Sequence, residues 1–351
     1  MNFFLNRLDH IHISSTSFEF ISADIKKDIN MDGILIGPNA EYLIDGKNIM
    51  ILVHASGLQN LIGANYYDAL MRKPMILFCI PTQEDEFEGT KDFLDRRYGA
   101  KGIHLNNFAQ AFSIACWFIK DSCVSASHTY WINLFNGYNS QGHRDMTPSM
   151  SNSRIAETSF SDAEVQTALS FMYTVLRYLL PDESKTGRIE MTHSGGTVIW
   201  EIEKALSMEG NSFARALILL QEARRTCIAS AKIDKYCALL ECLYAIKKDH
   251  KNNISQITAA YIGRDEAERN NIVAYMRYAY GVRSDRSHGE NLGYLKDNNP
   301  EDLNALSQIV DDYVRRVFTK VIADNSLNYD TSSEQKSRVR AYFNAIKQTV
   351  N

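Results

Sequence analysis

The sequence contains little proline and no long apolar stretch. Only six of its 351 residues are proline, and just one of them, Pro300, lies beyond Pro181. Because proline lacks a backbone N–H and clashes with the preceding turn, it interrupts helix interiors. The scarcity of proline therefore predicts a largely helical second half. No segment approaches the roughly 20 apolar residues of a membrane helix, so we expect no membrane-spanning segment.

Signatures of nucleotide and metal binding are also missing. The chain has no G-x-G-x-x-G sequence and no Walker-type loop, so nothing predicts nucleotide hydrolysis. The cysteines form no C-x-x-C pair, and the sequence places no third ligand beside His10 and His12. We therefore expect no metal and no other cofactor. Most cysteines lie in apolar runs, and residues 1–12 lack the apolar core of a signal peptide, which predicts a cytoplasmic protein with reduced, buried thiols.

The charge is unevenly distributed along the chain. The whole sequence carries a net charge of −4. From Arg215 to the end there are 21 basic and 17 acidic residues, which leaves 17 basic and 25 acidic residues before it. A basic half beside an acidic half is compatible with a nucleic-acid site in the C-terminal part. Ordinary variation between solvated faces explains the same asymmetry.

The sequence divides into four parts. Residues 1–136 mix short apolar runs with helical patterns and predict an α/β domain. Residues 137–160 are rich in Gly, Ser, Asn, Thr and Pro and predict a linker or long loop. Residues 161–325 predict a helical domain, and residues 326–351 a polar spacer with a short basic helix. The expected fold class is therefore α+β.

Local patterns predict the individual elements. Ser161 and Glu164 have the spacing of a capping box and predict a helix that begins there. Asp45 and Gly46 predict a hairpin turn. In the N-terminal part we predict strands at 33–36, 41–44, 48–53, 75–80, 102–105 and 129–135, and helices at 63–72, 92–98 and 108–120. In the C-terminal part we predict helices at 161–180, 197–208, 212–230, 232–248, 264–288, 302–323 and 334–348.

The most informative stretch, residues 280–289, ends the long predicted helix at 264–288. It holds Arg283 and His288, followed directly by Gly289, a residue that suits the left-handed position after a helix. Similar arginine–histidine spacings occur without this context at Arg7–His12, Arg97–His104 and Arg188–His193. The pair at 283 and 288 differs from the others because it ends a long predicted helix and is followed by Gly289.

Helical geometry separates these two side chains. At about 100° per residue, Ser284 and His288 lie along one face, whereas Arg283 lies about 140° from His288. Both can hold one phosphate if Arg283 curls back, if the helix end frays, or if a second subunit supplies the complementary half. Structural roles also explain them: His288 as a favourable charge at a helix C-terminus, and Arg283 as an ion-pair partner of Glu241 or Asp285.

Three segments together resemble the HEPN superfamily, and within it the ApeA-like HEPN domains. They are Arg215-Ala-Leu217 at a helix start, the apolar helix 238–244 with its embedded glutamate, and the order Tyr-x-x-Arg-Ser-x-x-x-His-Gly at 280–289. The resemblance covers about residues 205–325. Residues 1–160 resemble no family.

The resemblance implies an all-α bundle that forms a homodimer around a basic cleft and cleaves RNA without a metal. Arg283 and His288 would be the catalytic pair. Imidazole suits proton transfer between the ribose 2′-OH and the leaving 5′-oxygen, because its pKa lies near neutrality. Guanidinium suits the charge that builds on the phosphate, because it stays charged and binds oxyanions through two N–H groups. The products would be a 2′,3′-cyclic phosphate and a 5′-hydroxyl.

Four further residues would support this pair. Ser284 would position the phosphate, and Arg286 and Tyr280 would bind the backbone or stack on a base. Glu241 would orient Arg283 instead of moving protons. For Ser284, Arg286 and Tyr280, a solvated helix surface is the simpler explanation.

The superfamily's common setting predicts a role in bacterial antiphage defence or as a toxin, with residues 1–136 sensing a phage or cellular trigger. The alternative is a HEPN module that binds RNA or a partner protein without cutting. In that case His288→Ala would leave the affinity for RNA or the partner nearly unchanged, and no cleavage product would appear.

Overall fold

The chain is a mixed α+β protein, as the sequence predicts. Its structure, a computed structural model, describes residues 2–13, 18–20, 33–37, 58–71, 73–80, 90–133, 136–143, 148–179, 192–194, 197–199, 211–324, 327, 329, 332 and 334–349. The predicted strands at 41–44 and 48–53 and the Asp45-Gly46 turn lie outside these residues. The chain forms two compact units. One comprises Met1–Thr147 and Ala156–Leu176, and the other Pro148–Ile155 and Arg177–Asn351.

The strands and helices are numbered here in chain order. The strands are β1 (Asn2–Asp9), β2 (Ile11–Ile13), β3 (Phe18–Phe20), β4 (Gly33–Gly37), β5 (Met75–Ile80), β6 (Ser125–Asn133), β7 (Asn139–His143), β8 (Thr158–Phe160), β9 (Thr192–Ser194) and β10 (Thr197–Ile199). The helices are α1 (Leu58–Ile62), α2 (Ala64–Met71), α3 (Lys91–Ile119), α4 (Asp162–Leu179), α5 (Ser212–Arg225), α6 (Ala229–Leu243), α7 (His250–Ile262), α8 (Glu266–His288), α9 (Pro300–Ala323) and α10 (Gln335–Gln348), with a 3-10 helix at Gly293–Lys296.

The first unit is built on an antiparallel sheet with the strand order β3-β4-β5-β1-β6-β7. Strand β1 lies inside this sheet, and its residues are buried except for Arg7 and Asp9, which are intermediate. The Phe4 ring packs against Phe78 and Trp131 on the two neighbouring strands, with ring centroids 5.8 and 5.4 Å apart. This aromatic cluster explains why the apolar runs at 75–80 and 129–135 become adjacent to the N-terminal strand.

A single helix, α3, occupies the region where the sequence predicts two helices and a strand at 102–105. That strand prediction is wrong. The helix begins at Thr90, whose hydroxyl accepts from the Phe93 amide, and it continues to Ile119. Residues 111–118 are all buried, and Gln110 donates to the Ala126 carbonyl of β6 at 3.0 Å. Packing against the sheet outweighs the local signal from a glycine at 102.

The segment 137–160 is not the structureless linker that its composition predicts. It contains the strands β7 and β8, and β7 pairs with β6 from His128↔His143 to Ile132↔Asn139. Ser140, Gln141 and Gly142 are exposed, which explains the polar composition: β7 is an edge strand. The predicted domain boundary at 161 also differs from the division into units, because Ala156–Leu176 belongs to the first.

Helix α4 starts at the predicted capping box. The Glu164 amide donates to the Ser161 hydroxyl at 3.4 Å, and the Ser161 amide donates to the Glu164 carboxylate at 2.9 Å. This helix packs on the first unit through Phe171, whose ring centroid lies 5.7 Å from that of Phe118. Lys120 forms an ion pair with Glu164 at 2.6 Å. These contacts place α4 as far as Leu176 in the first unit with the sheet.

The second unit is helical around α6, which packs against α5, α8 and α9. Its buried face includes Ile233, Tyr236 and Leu240. The Tyr236 hydroxyl donates to Asp311 of α9 at 2.7 Å, so a buried carboxylate is compensated by a donor from α6. Of the cysteines on these helices, Cys237 is buried and Cys242 is half-buried, whereas Cys227, between α5 and α6, is exposed against expectation.

A buried lysine holds the segment Pro148–Ile155 in this unit. Lys232 of α6 is fully buried, and its ammonium donates to the Ala223 carbonyl at 2.9 Å and to the Ser149 carbonyl at 3.2 Å. The Ser149 amide donates in turn to the Arg224 carbonyl at 2.6 Å. These groups satisfy carbonyls at the C-terminus of α5, the negative end of its dipole.

Three further predictions differ from the structure. Residues 197–199 form β10, which pairs with β9, where the sequence predicts the start of a helix. The predicted helix at 232–248 ends at Leu243, because Ala245 has a positive φ of 52°. Helix α7 is absent from the sequence-based predictions.

In the part of the chain that the structure describes, no helix is both long and apolar enough to cross a membrane.

Candidate active site at the end of helix α8

The predicted motif occupies the last turns of α8. This helix begins at Asp265, whose carboxylate accepts from the Glu268 amide, and it buries Ile272, Met276, Ala279 and Val282. It ends at Gly289, which is left-handed with φ 71° and ψ 19° and donates to the Arg286 carbonyl at 3.2 Å. The predicted position of Gly289 after the helix is thereby confirmed, and Arg283 and His288 lie on one continuous helix.

Arg283 faces α6 and is surrounded by polar side chains. Its Nη2 lies 2.9 Å from Oε2 of Glu241, and its Nε lies 4.0 Å from Oδ1 of Asp234. Its Nη1 donates to the Tyr280 hydroxyl at 3.3 Å, and the guanidinium carbon lies 5.2 Å from the centre of the Tyr280 ring. The Arg283 side chain is 24% exposed. Two carboxylates and a phenol therefore fix a partly buried guanidinium.

The guanidinium keeps unused donors in this arrangement. An arginine has five N–H donors, and the hydrogen bonds to Glu241 and Tyr280 use one on Nη2 and one on Nη1. Nε is buried and makes no hydrogen bond within the described residues. The second N–H groups of Nη1 and Nη2 are not used by these two hydrogen bonds, and we call them the outer edge of Arg283. That edge has the geometry that binds two oxygens of a phosphate.

Helix α6 presents its polar residues to Arg283 from one face. Asp234, Cys237 and Glu241 follow each other at helical spacing. Burial raises the pKa of the Cys237 thiol above its ordinary value, with Arg283 opposing the shift. Burial also raises the pKa of the Tyr280 phenol, again against Arg283. Cys237 is fully buried and Arg283 only 24% exposed, so this side of the guanidinium lies in a poorly solvated environment.

Glu241 binds a second cation-forming side chain. Its Oε1 lies 3.0 Å from Nδ1 of His250, the first residue of α7, while Oε2 holds Arg283. The Glu241 side chain is 15% exposed and that of His250 is 36% exposed. The carboxylate thus bridges α7 and α8, with one oxygen for each.

His288 lies apart from this cluster. It is exposed, as the last residue of α8, and no side chain within the described residues is hydrogen bonded to its ring. Ser284, one turn earlier, is half-buried. The structure therefore brings Arg283, Tyr280 and Glu241 together and leaves His288 on the solvent side of the helix.

The remaining candidates have structural partners. Arg286 donates from Nη1 to the Ser230 hydroxyl in the first turn of α6, at 3.4 Å. Asp285 does not pair with Arg283; its carboxylate accepts from the Gly293 amide at 2.7 Å. Of the two ion pairs considered for Arg283, the structure forms the one with Glu241. Asp285 instead fixes the chain that follows α8.

Sequence reasoning missed two residues of this cluster, Asp234 and His250. Asp234 lies two helical turns before Glu241, and that spacing was a usable signal. No sequence signal indicated the position of His250, because helix α7 was not predicted. His10 and His12 gain no further ligands: among the described residues, no group of three or more His, Cys, Asp or Glu side chains is arranged to hold a metal ion.

Comparison with known proteins leaves the site geometry as the only guide to function. No family model, no curated protein and no solved structure matches this chain.

Proposed function

We propose that the chain is a HEPN-type endoribonuclease that acts without a metal on cytoplasmic RNA, with Arg283 and His288 as its catalytic pair. One observation carries the proposal. Arg283, held at 2.9 Å by Glu241, and the exposed His288 lie on the last turns of one helix that ends in a left-handed glycine. Cleavage of RNA through its own 2′-OH needs at least a fixed guanidinium and an accessible imidazole, and α8 carries both.

The chemistry divides between the two side chains. His288 takes the proton from the ribose 2′-OH as that oxygen attacks the adjacent phosphorus. A protonated imidazole then donates to the departing 5′-oxygen, and the product ends are a 2′,3′-cyclic phosphate and a 5′-hydroxyl. The outer edge of Arg283 binds the nonbridging phosphate oxygens, whose negative charge grows in the transition state.

Two copies of the chain would complete the site. Arg283 is directed toward α6 and His288 toward solvent on a different side of α8. A second copy related by a twofold axis would bring its own His288 to the first copy's Arg283, and the reverse. In this homodimer Ser284 would position the phosphate. Arg286, exposed beside His288, would bind the RNA backbone.

The first unit would regulate the nuclease. An unrestrained ribonuclease is toxic to the cell that makes it, so a sheet-containing unit on the same chain is a natural sensor for a phage or cellular trigger. The proposal includes a role in antiphage defence or as a toxin. Its HEPN-like part would be about residues 205–325, a range that lies within the second unit.

The test is incubation of the purified protein with labelled mixed RNA in EDTA, followed by mapping of the product ends. We expect cuts with cyclic phosphate ends from the wild type and none from Arg283→Ala or His288→Ala. Arg277→Ala is the matched control, because Arg277 is an exposed arginine of the same helix. Cleavage that survives both active-site substitutions would overturn the assignment.

One observation favours a second function. Arg283 is already paired with Glu241, and His288 has no partner among the described residues. A single copy therefore holds its guanidinium and its imidazole apart, as a module that only binds RNA or a protein would. Under this alternative, His288→Ala leaves RNA affinity unchanged and no cleavage product forms at any protein concentration.

A further inference from the structure

The connection between α6 and α7 places His250 against Glu241 through unusual backbone geometry. Ala245 has φ 52° and Asp249 has φ 49°, left-handed values that residues with a Cβ rarely adopt. The Ala245 carbonyl accepts from Arg340 of α10 at 2.8 Å, and Asn253 donates to the Lys248 carbonyl at 2.8 Å. The connection is therefore anchored at both ends. Such backbone strain persists only where surrounding contacts enforce it, and it concentrates at functional sites.

The hydrogen bond from His250 has a defined direction. An ionised Glu241 can only accept, so Nδ1 of His250 must carry the hydrogen at the 3.0 Å contact. Glu241 Oε1 is thereby occupied, and only Oε2 remains for Arg283, at 2.9 Å. The other charged group facing the guanidinium is Asp234, at 4.0 Å from Nε. With both oxygens engaged, the Glu241 carboxylate cannot rotate about its last side-chain bond.

We propose that His250 is a positioning residue for Arg283, and that it acts through Glu241. This inference rests on the proposed function, in which Arg283 binds the scissile phosphate. His250 touches neither Arg283 nor the region of His288. His250 holds the Glu241 carboxylate in place, and this carboxylate holds the Arg283 guanidinium. The outer edge of Arg283 thereby stays in position for the phosphate.

The first experiment compares single-turnover RNA cleavage by the wild type, two His250 variants and one control variant at Lys251. In His250→Ala the carboxylate loses its second hydrogen bond, and we expect the cleavage rate at saturating RNA to fall about tenfold with little change in KM. His250→Asn should restore most of the rate, because the Asn amide nitrogen stands where Nδ1 stands. Lys251→Ala, at an exposed neighbour in the same turn, is the control for disturbance of the helix start.

A double-mutant cycle separates positioning from general stability. If His250 acts through Glu241, His250→Ala should have no further effect on the rate in a Glu241→Ala background. Additive losses would overturn the proposal, as would a His250→Asn enzyme as slow as His250→Ala. The melting temperature of each variant is measured as well, and it shows whether a slower cleavage rate results only from unfolding of the protein.

A second readout needs no catalysis. Phenylglyoxal modifies accessible arginines. Site-resolved mass spectrometry measures the rate at which Arg283 is modified, with the exposed Arg286 as an internal reference. We expect faster modification of Arg283 in His250→Ala than in the wild type, and the wild-type rate in His250→Asn. Equal rates in all three would overturn the positioning role. If the wild type cuts no RNA, the proposed nuclease fails while this measurement still decides whether His250 positions Arg283.

Discussion

Glu241 and Arg283, 42 residues apart, join α6 to α8 through a 2.9 Å contact between Oε2 and Nη2. Both side chains are largely withdrawn from solvent, with 15% and 24% exposure. An ion pair in this position differs from one on the surface: removal of one partner leaves the other charge partly buried without compensation. The pair is therefore tied to both the stability of the helical unit and the proposed chemistry.

The first prediction concerns Glu241→Ala. Loss of the carboxylate leaves Arg283 with the Tyr280 hydroxyl and with Asp234 at 4.0 Å, and we expect a loss of about 1–3 kcal/mol in the free energy of unfolding. RNA cleavage should fall more than tenfold at saturating substrate, since the guanidinium is no longer fixed. Urea denaturation followed by circular dichroism and single-turnover cleavage measure the two effects.

The matched control for that prediction is Glu222→Ala. Glu222 pairs with Lys235 at 2.5 Å, but the two side chains are 41% and 36% exposed. A surface pair of this kind contributes only about 0–1 kcal/mol. Equal destabilisation by Glu222→Ala and Glu241→Ala would contradict the importance given to the buried pair.

The second prediction compares two glycines of α8. Gly289 has φ 71°, so Gly289→Ala forces a Cβ into the left-handed region and should destabilise the protein by about 1 kcal/mol. Gly281 lies inside the helix, and a Cβ added there meets no atom within 4 Å. Gly281→Ala should therefore stabilise the protein by about 0.5–1 kcal/mol. Opposite shifts of the urea midpoint are expected; shifts of the same sign would contradict the assigned backbone at 289.

Much of the fold was predictable from local sequence signals. The strand at 75–80, the helix that ends at 288 and the capping box at Ser161 are confirmed, because apolar periodicity and end residues agree with the final packing. The strand predicted at 102–105 was wrong. The short apolar run at 102–105 favours a strand, but a continuous helix buries the following residues of α3 against the sheet. The packing of α3 outweighs the local strand preference.

The candidate site was predictable only where helical spacing brings residues together. Arg283, His288 and Gly289 follow each other along one helix, and the sequence indicated them as a group. The position of His250 depends on left-handed backbone at Ala245 and Asp249. Neither is a glycine, so no turn signal marks this connection in the sequence. Contacts between helices that depend on left-handed backbone at residues other than glycine could not be predicted from the sequence.

The third prediction concerns pH. Glu268, in the first turn of α8, accepts from the Arg264 side chain and amide and pairs with Arg316 of α9 at 3.0 Å. The Arg264 hydrogen bonds, with help from Arg316, lower the pKa of Glu268 from 4.5 to about 2. A depressed folded-state pKa adds stability that is present above pH 4.5 and is lost as the pH falls toward 2.

The measurement is the melting temperature of the wild type and Glu268→Gln between pH 6 and pH 3. The difference between them should narrow as the pH falls, because protonation removes the charge that the variant already lacks. Glu266→Gln, at an exposed glutamate of the same turn, should follow the wild type throughout. A constant difference from pH 6 to pH 3 would show that the charge of Glu268 contributes nothing.

The fourth prediction tests whether two copies share one site. In the proposed homodimer, Arg283 of one subunit works with His288 of the other. Neither Arg283→Ala nor His288→Ala should cut RNA alone. When the two variants are mixed and allowed to exchange subunits, half of the dimers are mixed, and each mixed dimer contains one site with both side chains intact. Cleavage should therefore return to about a quarter of the wild-type rate for the same total protein.

The outcome of that mixing separates the arrangements that the geometry of α8 allows. If Arg283 curls back to His288 within one subunit, no mixed dimer contains an intact pair, and the mixture stays inactive. Subunit exchange is checked separately, by giving the two variants different affinity tags and capturing dimers that carry both tags. Because Arg283 is held toward α6 by Glu241 and His288 is exposed at the helix end, we expect activity to return. Inactivity despite demonstrated exchange would place the whole site within one chain and would require Arg283 to leave Glu241 before RNA is cut.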